Sequence, residues 1–208
     1  MIESSQLIYF IAASAAFTIL PGPDMIFVLT QSISQGKKAG IATASGLCTG
    51  ILFHTTAAAL GISAILYQSA LAFTAIKYLG AAYLIYLAVK ALREGDHMLS
   101  SDMVKDNDPT LLYKRGIFMN ILNPKVSLFF LAFLSQFVNV QSGNASMQMI
   151  FLGIVFMIQV LLIFFVVSTF AGKIGTKILE RPKVGLYINW MKASIFSVIG
   201  IRLALSQK

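Results

Sequence analysis

The chain has 208 residues, 57% of them apolar and only 12% charged, with a net charge of +8 and a mean hydropathy of +0.80. Soluble domains carry about a quarter charged residues, and the polar surface here is too small to cover a water-soluble core, so the composition is that of a membrane protein. The Lys and Arg residues gather between apolar stretches without interleaved aromatics, which excludes nucleic acid as a partner. A single cysteine, Cys48, excludes an internal disulfide and a thiolate metal site, and two histidines, His54 and His97, are too few for a metal-handling tract.

The N-terminal "MIESSQLIYF" has no basic region ahead of its apolar run, so it is expected to begin the first span rather than a cleaved signal peptide. A spanning helix needs about 20 predominantly apolar residues. Six stretches approach or exceed that length, near residues 7–30, 41–67, 73–92, 116–138, 147–171 and 188–205. The second is long enough to tilt or kink, with Gly46, Gly50 and Gly61 along it. A polar segment from Arg93 to Arg115 divides the six into three and three. The expectation is one transmembrane domain over residues 1–208, with halves 1–92 and 114–208 and a cytoplasmic linker at 93–113.

Orientation follows from the basic residues of the short connections. Lys37 and Lys38 follow the first stretch, Lys105 and Lys114 lie in the central segment, and Lys173, Lys177, Arg181 and Lys183 follow the fifth. These three connections are expected in the cytoplasm. The connection after the fourth, "NVQSGNAS", carries no charge and is expected outside. Both termini are then outside if all six stretches span, whereas a re-entrant first stretch puts the N-terminus inside.

The first stretch is interrupted by "PGPD", Pro21 to Asp24. Proline removes a backbone donor and clashes with the preceding turn, so a helix cannot run regularly through it. Irregular backbone at membrane depth is tolerated only inside protein or beside a wet cavity, so the break should face the bundle interior. Asp24 is placed to N-cap the helix that resumes near Met25. The fourth stretch carries an echo, "NILNPKVSLFF": Ile19-Leu20 superposes on Ile121-Leu122, followed by a proline-containing break and a charged residue. Because each half has three stretches, the second would enter from the opposite side, giving two inverted three-helix repeats with broken helices 1 and 4. Broken helices at matching positions of two halves point to a transporter's central site.

"PGPD", "SQGKKAGIATASGLCTGILFH", "KYLGAAYLIYLAVKAL" and "RGIFMNILNPKVSLFFLAFLSQF", in this order, resemble the LysE/RhtB family of amino-acid exporters. The resemblance implies a multi-pass bacterial inner-membrane exporter of amino acids or close derivatives, driven by the proton gradient as an antiporter. Its partners would be the solute, protons and the bilayer, with no cofactor; a homo-oligomer stays open. A small-solute channel without proton coupling is the alternative, since broken helices also build selectivity filters. An enzyme is not expected: no GxSxG occurs, and Ser45 and His54 make no nucleophile and base pair on one helix.

The candidate site residues come from the breaks. Asp24 could neutralise a substrate ammonium or carry a proton, since an acid inside a span is a functional hypothesis by default. Lys125 could bind a carboxylate, or pair with Asp24 in the empty site; snorkelling to the interface is its structural alternative. Asn123 can hydrogen-bond freed backbone, and Pro21, Gly22, Pro23 and Pro124 shape the site by position. His54 lies on the row of Gly46 and Gly50, facing the bundle, as a proton relay or a packed histidine. Gln136, Asn189 and Trp190 are weaker candidates, the tryptophan being accounted for by an aromatic belt.

Overall fold

In the computed structural model, residues 3–62, 70–93, 108–139, 141, 143–179 and 184–205 are described. All regular structure among them is helical. The first stretch folds as α1 (Ser4–Ile19) and α2 (Pro23–Gln35), bent by 57° at the PGPD break. Gly36, at φ 87°, turns the chain into α3 (Lys37–Ala57), which loosens into a π turn, Ala58–Ile62. A left-handed φ of that kind favours glycine.

α4 (Ala70–Arg93) precedes the central segment, most of which, including His97 and Lys105, lies outside the described residues. α5 (Pro109–Ile121) begins earlier than the apolar pattern suggested. The Asp108 carboxylate accepts from the Thr110 N–H at 2.8 Å and Pro109 occupies the first helical position, so a capping signal sets the start and hydropathy does not. Lys114 and Arg115 therefore ride on a helix. At the second break the chain bends by 48° into α6 (Pro124–Leu128), which continues as a π turn (Phe129–Phe133) and a 3-10 turn (Leu134–Phe137). α7 (Ala145–Leu179) and α8 (Val184–Leu205) complete the order.

Among the described residues, two single helices are long and apolar enough to cross a bilayer, Thr74–Arg93 and Ala145–Ala171, and counting each bent pair as one span raises the number to up to four. The fold is thus an all-α, multi-span membrane fold. Leu71, Leu79, Leu162, Val166 and Val198 are among many large apolar side chains left outside, as a lipid-facing surface requires.

Packing puts the two breaks side by side. α3 lies against α5 and α7, and α4 against α8. The α3–α5 crossing is made by glycine: a Cβ on Gly46 would sit 2.0 Å from the Tyr113 carbonyl oxygen, and one on Gly116 would sit 2.6 Å from that of Thr43. The small-residue face of α3 thus acts as expected, letting backbones touch. Phenylalanines fill the centre. Rings run Phe17–Phe129 (4.5 Å between centroids), Phe129–Phe133 (5.0 Å) and Phe133–Phe137 (5.0 Å), with Phe156 on Phe129 at 4.7 Å.

Candidate functional site

Each break frees a backbone carbonyl for a simple reason. In a regular helix the carbonyl of residue i accepts from the N–H of residue i+4. Position 21 is proline, so Phe17 C=O loses that donor; position 124 is proline, so Asn120 C=O loses its donor too. In both cases a side chain from a distant part of the chain supplies a donor, the Asn120 oxygen also accepting from the Asn123 N–H at 3.0 Å. The Lys125 ammonium donates to Phe17 O at 3.1 Å and to Leu20 O at 3.3 Å, and His54 Nε2–H donates to Asn120 O at 3.0 Å. The first break is thus closed by a residue of the second, and the second by a residue of α3. The His54 bond fixes a proton on Nε2, because a carbonyl can only accept.

Asp24 sits between these contacts. Its Oδ1 accepts from Asn123 Nδ2 at 2.7 Å and its Oδ2 from Asn120 Nδ2 at 3.0 Å. Asn123 also acts on its own helix, where its Oδ1 accepts from Lys125 N–H at 3.0 Å and caps α6, with Pro124 at the first helical position. Two sequence expectations need correction here. Asp24 is not the cap of α2, which starts at Pro23 with Gly22 at the capping position and no side-chain cap; two amide donors across the interface claim the carboxylate first. Nor do Asp24 and Lys125 form an ion pair with each other, because the ammonium is taken by the orphaned end of α1 and lies over the Phe17 ring, 4.4 Å from its centroid.

Gly22 has an extended backbone that any residue adopts (φ −134°, ψ −176°), so its conformation does not require glycine. Space does. A Cβ there would stand 3.1 Å from Lys125 Nζ and 3.3 Å from Cδ, so the lysine stem passes directly beneath it.

Two cavities meet at this point. A small one of about 30 Å³ is lined by Thr18, Asp24, Asn120, Asn123 and Lys125 together with apolar side chains, room for about two waters. A larger one of about 290 Å³ is lined by Pro21, Gly22 and Pro23, by Asn123, Pro124 and Lys125, and by Tyr83, Lys90 and Lys192. Asn123 and Lys125 belong to both. A separate groove of about 840 Å³ lies beyond the phenylalanine column, between α1, the end of α6 and α8, where Arg202 stands 3.8 Å over the Tyr9 ring.

Asp24, Asn123, Lys125, Pro21, Gly22, Pro23 and Pro124 are therefore brought together around the two cavities, and His54 joins them through the Asn120 carbonyl without lining either. Gln136 lines the separate groove, its amide donating to Ala132 O at 3.0 Å. Trp190 is exposed and Asn189 is buried on α8. Sequence reasoning missed Asn120, which serves Asp24 and His54 at once, and Lys192, a buried lysine on α8. Counting back four residues from each proline would have found Asn120; no local signal gives the depth of Lys192.

The sequence matches the LysE type translocator family over residues 15–207. The chain belongs to that family. Membership in the LysE type translocators makes it a membrane transporter and not an enzyme. Its relatives include the membrane protein YrhP of Bacillus subtilis (strain 168), 39% identical over 156 residues, covering 71% of this chain and 74% of that protein. The homoserine/homoserine lactone efflux protein of Salmonella typhimurium is 29% identical over 195 residues, 94% of each chain. A membrane protein of Vibrio cholerae serotype O1 is 26% identical over 198 residues, 95% of this chain and 96% of its own. No solved structure matches the LysE type translocator described here.

Proposed function

We propose that the chain exports amino acids or close derivatives across the bacterial inner membrane in exchange for protons, using the two broken helices as its solute site. The observation that carries this reading is how the freed polar groups of the breaks are met: Phe17 C=O by Lys125, Asn120 C=O by His54, and Asp24 by two asparagines of the other break. A purely structural kink needs no half-buried carboxylate and ammonium beside a buried imidazole within one interface, and ionisable groups at membrane depth mark solute or proton pathways. Likeness to proteins named for homoserine and homoserine lactone efflux supports small amino-acid-like solutes.

The architecture that fits is six spans in two inverted halves, 1–92 and 114–208, joined by a cytoplasmic linker at 93–113. The bends of 57° and 48° carry each broken helix onward rather than back, which favours spanning over re-entry. The larger cavity, with Lys90 of the last turn of α4 on its wall, then opens toward the cytoplasm, and the phenylalanine column separates it from the outer groove.

The test is uptake of radiolabelled homoserine and a panel of amino acids into inside-out vesicles. Uptake driven by an imposed pH gradient and abolished by an uncoupler is expected. Flux that follows the solute gradient alone would replace the antiporter by a channel.

A further inference from the structure

The polar end of α1 is a place where the protein binds an ammonium group, and the ammonium it holds is its own. Pro21 takes the hydrogen-bond donor away from Phe17 C=O, and Lys125 Nζ donates to that oxygen at 3.1 Å and to Leu20 O at 3.3 Å. The aromatic face of Phe17 lies 4.4 Å from the same nitrogen and that of Phe196 5.5 Å. Two carbonyl oxygens at the negative end of a helix, flanked by aromatic faces, recognise a primary ammonium through hydrogen bonds, dipole and quadrupole together. Asp24, by contrast, already has both oxygens engaged by amide donors.

We propose that the Phe17 and Leu20 carbonyls, with the Phe17 ring, form the ammonium subsite for the exported solute, and that Lys125 is a tethered stand-in which the solute's ammonium displaces. This rests on the amino-acid reading above and deepens it, by moving the ammonium from Asp24 to the backbone and giving Lys125 two positions. The lysine lines both cavities, so a released side chain stays within the same site. There it meets the carboxylate of the zwitterion that replaced it. One ammonium is exchanged for another and the freed one finds an anion, so the charge of the occupied site is unchanged. A solute whose amine is acylated loses the group the subsite reads, so N-acylated amino acids are not ligands.

The test separates the subsite from the transport function. Lys125→Ala removes three methylenes and an ammonium, the outline of n-propylammonium. Purified Lys125→Ala protein in lipid nanodiscs should regain thermal stability with n-propylammonium, its unfolding midpoint rising by about 3–6 °C at about ten times the dissociation constant. Neither 1-propanol, which lacks the charge, nor tetramethylammonium, which lacks N–H donors, should do so. Wild-type protein, whose subsite is filled, should not respond to n-propylammonium. Equal responses of both proteins, or none in the variant, would overturn the subsite. If Lys125→Ala fails to accumulate, Lys125→Met keeps the bulk of the stem, and the ammonium ion takes the place of n-propylammonium with the same two outcomes. Rescue without export of any amino acid by the wild type would leave the subsite standing and remove the exporter. Export without rescue would do the reverse.

Discussion

Gly46→Ala tests whether the α3–α5 crossing sets the geometry of the site. The added methyl would meet Tyr113 O at 2.0 Å, Tyr113 C at 2.8 Å and Tyr113 Cα at 3.0 Å, all backbone atoms that no rotamer change can move. Gly116 leaves no slack from the other side, since its own Cβ position is 2.6 Å from Thr43 O and 2.9 Å from Leu47 N. The two helices must therefore separate by about 1 Å, and overpacking of this kind costs about 1–3 kcal/mol or more. About two turns further along the same crossing, the 3.0 Å bond from His54 to Asn120 O would open beyond hydrogen-bonding reach, adding about 1 kcal/mol for a buried bond lost. At about 2–4 °C per kcal/mol for a chain of this size, the unfolding midpoint should fall by roughly 10 °C. Gly61→Ala is the control, because nothing lies within 4 Å of its Cβ position. Thermal unfolding of both variants in the same lipid nanodiscs decides the matter. A Gly46→Ala protein that melts with the Gly61→Ala control would show that the helices do not cross in backbone contact.

Two further outcomes are expected. Asp24→Asn and Lys125→Met should each lower export about tenfold or more while the protein still reaches the membrane, since each leaves buried hydrogen-bonding groups without their charged partner. The double variant should stay inactive, and recovered export in it would reduce both residues to a structural pair. In a Cys48→Ala background, cysteines at Lys38 and Gln141, both exposed, should react with a membrane-impermeant maleimide from opposite sides. Labelling of both from the outside would overturn the orientation.

Much of this arrangement is legible in the sequence because proline acts locally. Pro21, Pro23 and Pro124 announce the breaks wherever the chain folds, and the Gly46, Gly50 and His54 row announces the inward face of α3 by spacing alone. What the sequence could not convey is which partner each freed group would choose. Asp24 reads as a cap because caps are local, yet its donors come from Asn120 and Asn123, about a hundred residues away. Lys125 reads as the partner of Asp24 because opposite charges attract, yet the carbonyl that Pro21 strips of its donor lies closer to its ammonium. Lys192 passed unnoticed because "NWMKAS" looks the same whether its lysine snorkels or turns inward; only the packing of α8 against α4 decides.

That choice of partners bears on transport. Inside a low-dielectric bundle a direct carboxylate–ammonium contact is strong, and removing one partner strands the other as an uncompensated charge. A site built on such a pair would resist exchange. Here each charge is held by neutral dipoles instead: Asp24 by two amides, Lys125 by two carbonyls and an aromatic face. Dipoles fixed in the backbone and in buried asparagines stay in place when the charge they hold departs, and they accept a chemically equivalent charge with little reorganisation. The prolines that break the helices create the carbonyl half of that set. On this reading, the interruption in the middle of an apolar helix is the means by which a membrane interior offers hydrogen bonds to a moving ion without committing a counter-charge to it.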